Sequence, residues 1–257
     1  MTIAISAVSS SPRSPRQPYR KHAPAQRASA FDDDGAHASS QSSRSIERTR
    51  SELLAAVAPL DRGAAAAPND RERVESLTRE LETVAGERNQ LSTGSQPLFQ
   101  GSWRLIYSSI FADEGPGSQG YSGTPVAPPG FMLQAVRQSI ALGSDQPQCD
   151  NQVEFAGPFG AKLTATLEHS LQLDGATSRI SLLRVSVNAG SNLFSLPELN
   201  LPSPSQFIPE EAVGSDFTQR ASTFDTTYID DGLRVSRSGL SELRIFVRDS
   251  SSRPPTI

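Results

Sequence analysis

The chain has 257 residues, enough for one large domain with appendages. Hydrophobic residues make up 36%, and 19 prolines with 18 glycines argue against an architecture of long helices. The net charge of -4 gives no global signature of nucleic-acid binding, and a single cysteine, Cys149, excludes an internal disulfide framework. The three histidines (His22, His37 and His169) are too scattered for a typical His-rich metal site. No apolar run is long enough for a membrane-spanning helix.

Residues 1–31 carry Arg13, Arg16, Arg20, Lys21 and Arg27 but no acid, and they are rich in serine. Pro12, Pro15, Pro18 and Pro24 prevent a continuous helix there. A basic, hydroxyl-rich, acid-free start is the pattern of an organelle transit peptide, and its proline and serine content leans towards the chloroplast. The plain alternative is a disordered tail. From Asp32 to Ser43 the chain reads as linker.

Two helix-period segments follow. Ser43 to Pro59 places Ile46, Leu53, Leu54 and Val57 on one stripe, and the Asp61-Arg62-Gly63 turn stops it. Asn69 or Asp70 is expected to cap a second helix, with Val74, Leu77, Leu81 and Val84 at spacings of three and four and Gly86 at its end. Glu72, Glu75, Arg71 and Arg73 are expected on its wet face. The pair is expected to pack on its own domain. A partner-binding arm is the alternative.

From Leu98 the period changes to two. Trp103, Leu105 and Tyr107 alternate with Arg104, Ile106 and Ser108. Further strands are expected over 131–142, 152–155, 161–173, 179–187, 226–237 and 243–248, separated by loops rich in Gly, Pro and Ser. Leu163, Ala165, Leu167, Leu171 and Leu173 share one phase, with His169 or Ser170 on the other and a phase slip near Glu168. Many short strands with no helix-length pattern between them suggest an antiparallel sandwich or barrel. A small barrel either fills itself with side chains or encloses one small apolar ligand.

The common catalytic signatures are missing. Gly115, Gly117 and Gly120 match a nucleotide-binding spacing only literally, because loop rather than helix follows. Cys149 with His169 is a conceivable nucleophile–base pair, but a lone cysteine is more often a small buried residue. Asp230-Asp231-Gly232 reads as a tight turn in which Gly232 takes positive φ. Arg234 and Arg237 lie three apart and therefore on opposite faces of a strand. The inward one would pair with Asp231 or Glu154, or hold a polar head group. Trp103, Tyr107, Phe131, Phe155, Phe159 and Tyr228 are aromatics at strand positions, suited to a core or to an apolar ligand lining.

The segment Leu98-Phe99-Gln100-Gly101-Ser102-Trp103-Arg104-Leu105-Ile106-Tyr107-Ser108-Ser109 resembles the opening motif of the plastid lipid-associated proteins, or fibrillins. Thr226-Thr227-Tyr228-Ile229-Asp230-Asp231-Gly232-Leu233-Arg234-Val235-Ser236-Arg237 is similar to the C-terminal signature of that family. Leu53-Leu54, Asp61-Arg62-Gly63 and Asp70-Arg71-Glu72-Arg73-Val74 resemble its helical lead-in, and Gln152-Val153-Glu154-Phe155 its central strand.

The resemblance implies a mainly β protein: a lipocalin-like antiparallel β-barrel preceded by two α-helices. The expected organisation is a transit peptide and disordered linker over 1–42 and a helical lead-in over 43–90. The barrel is expected over 91–248 and a disordered tail over 249–257. The implied function is non-catalytic: binding or stabilising isoprenoid, quinone, carotenoid or acyl lipids at plastoglobules, thylakoids or in the plastid stroma. No cofactor and no nucleic-acid partner are expected. Candidate ligand residues are Trp103, Tyr107, Phe155, Tyr228, Asp231, Arg234 and Arg237. Trp103 matches equally the base-plugging tryptophan of lipocalins. The apolar loop Leu193–Ile208 is a candidate for peripheral attachment to a lipid surface, or a flap over the barrel. The alternative function is a scaffold with a packed barrel, docking a prenyl-lipid biosynthetic enzyme through the helical front. A calycin-like enzyme would need an acid/base constellation that the sequence does not display.

Overall fold

A computed structural model of the chain describes residues 33–86, 96–113, 127–143, 146–191, 196–201, 222–238 and 242–249. The glycine-rich segment 115–120, the segment 1–31 read as a transit peptide and most of the 193–208 loop lie outside the described residues.

Two helices open the fold. Helix α1 (Asp33–Val57) starts upstream of the expected Ser43 and runs into a 3-10 turn at Ala58–Leu60. Helix α2 (Pro68–Ala85) has Pro68 in its first turn, where a missing N–H costs nothing. Its cap differs from expectation: the Asp70 carboxylate reaches back to accept the Ala67 N–H at 3.0 Å. Leu53, Val57 and Leu60 from the first segment and Val74, Leu81 and Ala85 from the second are buried. Ala85, not Val84, completes the stripe, because it lies four residues after Leu81 on the buried line of Val74, Thr78 and Leu81.

Between the helices, Asp61, Arg62 and Gly63 all take positive φ (42°, 60° and 104°). This run presses against the first strand, where the Ser108 N–H donates to the Arg62 carbonyl at 2.9 Å. A Cβ on residue 63 would sit 2.5 Å from the Ser108 oxygen, so glycine is required there for space as well as conformation.

The nine strands among the described residues are β1 (Gly101–Ser108), β2 (Met132–Ala141), β3 (Gln148–Ala156), β4 (Lys162–Asp174), β5 (Thr177–Gly190), β6 (Leu199–Leu201), β7 (Thr223–Ile229), β8 (Leu233–Ser238) and β9 (Leu243–Arg248). Short helices α3 (Gln96–Phe99) and α4 (Ser109–Asp113) flank β1. Every pairing is antiparallel, in the order β4-β3-β2-β1-β9-β8-β7-β5, and β4 pairs with β5 to close an eight-stranded barrel. β6 adds to the free length of β5.

Four register shifts decide which side chains enter the barrel, since one extra residue reverses every later position. In β2 the extra residue is Gln134, between the Leu133–Phe155 and Ala135–Glu154 pairs. In β1 the extra residue is Ile106, so Trp103 and Leu105 point inward while Tyr107 turns outward beneath the helices. The uninterrupted alternation read from the sequence therefore fails after Leu105. In β7 the extra residue is Thr227, which sends Tyr228 outward and Ile229 inward. The slip expected near Glu168 exists, but the extra residue is Leu183 on β5, between the Glu168–Arg184 and His169–Leu182 pairs. His169 therefore shares the inward phase of Leu167 and Leu171, and of the two alternatives it is Ser170 that takes the polar phase.

Strands β8 and β9 are buried on both faces. Outside, Leu233, Val235, Leu243 and Ile245 meet the helices together with Tyr107 and Tyr228. Inside, Phe246 joins Trp103, Leu105, Ile140, Cys149 and Leu171 in a second cluster.

Candidate functional site

One end of the barrel is sealed. Trp103 is fully buried there, and its indole Nε1 donates to the Phe99 carbonyl at 2.9 Å, so α3 lies across this end. The Arg248 guanidinium stacks on the indole 4.1 Å from the ring centroid. Arg248 also donates to the Leu98 carbonyl at 2.9 Å and to the Asp231 carbonyl at 3.0 Å, tying α3 to the β7–β8 turn.

Towards the other end the inner face stays apolar but is only partly covered. Leu163, Ala165 and Leu167 on β4 pair with Ala189, Val187 and Val185 on β5, and all six are half-buried. Phe155 lies opposite Leu163 on the same face. The rim exposes Met132, Phe159, Leu196 and Leu199. Phe159, at the β3–β4 turn, is 101% exposed and holds positive φ at 57°.

Between the two ends lies Arg234. Its register with Ile229 and Phe246 points it inward, and it is 0% exposed. Its guanidinium lies 5.1 Å from the Trp103 ring centroid and 4.4 Å from that of Phe246. Nη2 donates to the Gln138 Oε1 of β2, so the side chain crosses the lumen. Gln138 in turn donates to Asn151 at 2.9 Å. Nε and Nη1 of Arg234 have no hydrogen-bond partner among the described residues. Burial lowers the pKa of this group to about 9, which leaves it charged at neutral pH. Neither expected ion pair forms. Glu154 accepts from Arg137 on the outer face, and Asp231 contributes its carbonyl to Arg248.

Other polar groups of the lumen engage one another, except the buried Ser178 Oγ, which has no partner among the described residues. Thr226 and Ser236 lie 3.4 Å apart, and Glu242 accepts from Ser108 at 2.7 Å and from Arg244. Cys149 and His169 are neighbours, but His169 Nδ1 faces the Cys149 carbonyl at 3.1 Å rather than its sulfur. Burial pushes the Cys149 thiol up to about 12 and lowers the His169 pKa, so this pair offers no thiolate at neutral pH.

The remaining candidates hold the helices to the barrel. Tyr228 donates to the Asp230 carboxylate at 2.7 Å, and Arg50 of α1 lies 3.0 Å from the same group. Burial, then the Asp230 carboxylate, pushes the Tyr228 hydroxyl above its ordinary value. Asp230 also accepts the N–H groups of Gly232 and Leu233 at 2.7 and 2.6 Å, closing the turn. Gly232 does not take the positive φ expected of it. A Cβ there would lie 2.8 Å from Arg50 Nη2, so glycine admits the arginine instead. Arg237 points outward, with Nε 3.1 Å from Glu82 and Nη1 3.3 Å from Glu75. Glu75, assigned to the wet face of α2 from the sequence, thus turns towards the barrel.

The sequence reading placed Arg234 and Trp103 among the candidates, and the structure brings them together. It missed Gln138 and Phe246. The signal for Gln138 was available: it occupies the apolar phase of Val136 and Ile140. A separate cleft of about 390 Å³ opens outside, where β1 and β2 diverge beneath Leu54, Val57 and Arg62.

A family model described as PAP_fibrillin matches residues 47–247. Plastid-lipid-associated protein 6, chloroplastic, of Arabidopsis thaliana is 32% identical over 213 residues, which is 79% of this chain and 71% of the relative. Probable plastid-lipid-associated protein 5, chloroplastic, of the same plant is 35% identical over 197 residues, 74% of this chain and 65% of the relative. No solved structure matches.

Proposed function

We propose, for a chain that belongs to the PAP/fibrillin family, that the barrel takes up a hydrophobic molecule within the plastid and holds it without chemical change. The observation that carries this is the inner face of β4 and β5, apolar yet half-buried, opposite an end sealed by Trp103. Covering such a face with a lipid chain stabilises the complex by about 25 cal/mol per Å² of apolar area removed from water. Isoprenoid, quinone, carotenoid and acyl chains all supply that surface. The names of the two relatives, plastid-lipid-associated and chloroplastic, agree with this reading.

The exposed apolar rim gives the barrel a way to meet a plastoglobule or thylakoid surface with its open end. Trp103 and Arg234 are then the inner residues at the ligand's far end, and Phe155 is part of the wall. Tyr107, Tyr228, Asp231 and Arg237 keep the helices and turns in place. The scaffold reading is less well supported. It needs a free apolar stripe on the helical front, whereas Leu53, Val57, Val74 and Leu81 are spent against the barrel.

Trp103 is the single tryptophan of the chain, so its emission reports on the lumen alone. Titration with the methyl ester of a fluorescent polyene fatty acid should give saturable energy transfer from Trp103, with one probe per chain. Absence of saturable transfer from both this neutral ester and its parent acid would remove the lumen from the account.

A further inference from the structure

Arg234 is a cation taken wholly out of water, and two of its three guanidinium nitrogens lack an acceptor. Stripping hydrogen-bonding groups from water without replacing their partners is costly, more so for a charged group. Among the described residues no carboxylate compensates it: Glu242 is taken by Arg244 and Ser108. The rings of Trp103 and Phe246 face the guanidinium, but aromatic faces do not accept its in-plane N–H bonds in the way an oxygen does. An uncompensated cation therefore sits across the lumen, between the sealed end and a half-buried apolar sleeve.

We infer that Arg234 is the receptor for a carboxylate head group, and that the barrel selects a long-chain monocarboxylate bound head-inward with its tail along β4 and β5. This rests on the lumen reading above and narrows it to one ligand class. The carboxylate accepts the free N–H groups, neutralises the cation and exchanges a buried penalty for charge-assisted hydrogen bonds. A neutral chain of the same length gains the apolar term alone.

The test compares a fluorescent polyene fatty acid with its methyl ester, using transfer from Trp103, on the full chain and on Arg234→Met and Arg234→Lys. The full chain should bind the acid at least about tenfold more tightly than the ester, the scale of a charge-assisted contact. In Arg234→Met the two affinities should converge while ester binding persists, and the ligand-free melting temperature should stay level or rise. If Arg234→Met does not fold, Arg234→Lys carries the comparison: it keeps the charge but loses the planar fork, and the ratio should fall several-fold. Equal affinities for acid and ester in the full chain would overturn the carboxylate receptor and leave the lumen reading standing. Binding of neither probe would overturn both. Acetate supplies the head group without a tail. If acetate stabilises the full chain but not Arg234→Met, and competes with the acid at comparable concentration, the site is one for a free small anion and the lipid assignment falls.

Discussion

At the scale of single residues, adjacent positions with the same chemistry do different work. Asp230 closes a turn through two backbone N–H groups, accepts from Tyr228 and meets Arg50, whereas Asp231 supplies a backbone carbonyl to Arg248. Asp230→Ala should therefore cost about 2–3 kcal/mol of unfolding free energy, because several part-buried donors lose their acceptor together. Asp231→Ala should change it by less than about 0.5 kcal/mol. Urea denaturation of both variants separates these roles, and equal losses would refute the assignment. Cys149 is the single thiol, and burial holds its pKa near 12. Ellman's reagent at neutral pH should label the folded chain only as fast as it opens globally; immediate labelling would show an accessible thiolate.

At the scale of elements, the joint between α2 and β8 depends on one cation and two carboxylates. Burial raises the Glu75 pKa, but hydrogen bonds from Arg237 and Arg79 outweigh it and hold the group below its ordinary 4.5. A carboxylate with a lowered folded pKa stabilises the fold above its unfolded pKa and loses that contribution as pH falls through the folded value. Arg237→Met should thus cost about 1–2 kcal/mol at pH 7, and the deficit should shrink as pH drops from about 5 towards 3. Chemical denaturation across that range measures it, and a pH-independent deficit would assign Arg237 a packing role alone.

The whole molecule has two unlike ends. One is stoppered by Trp103, α3 and Arg248; at the other, among the described residues, Met132, Phe159, Leu196 and Leu199 stand exposed. That polarity orients any meeting with a lipid surface. Phe159→Asp should reduce co-flotation with triacylglycerol droplets several-fold while leaving the melting temperature within a few degrees, since the ring is solvent-exposed and touches no core. Unchanged flotation would exclude this rim as the docking edge.

Much of this architecture was legible along the chain. Apolar spacings of three and four in the lead-in, then of two from Trp103 onward, are local consequences of helix and strand geometry, and they specified a helical front before a β body. The motifs at 98–109 and 226–237 mark β1 and the β7–β8 hairpin, which β9 joins in the barrel wall. What side chains do along the strands depended on Ile106, Gln134, Leu183 and Thr227, four extra residues that reverse facing and leave no mark in composition. A bulge is set by how two distant strands match in length and curvature, so only closure of the barrel decides it. The same closure sends Arg234 inward to Gln138, 96 positions away, and Arg237 outward to α2. Spacing placed the two arginines on opposite faces; only the assembled barrel decided which one is buried without enough partners.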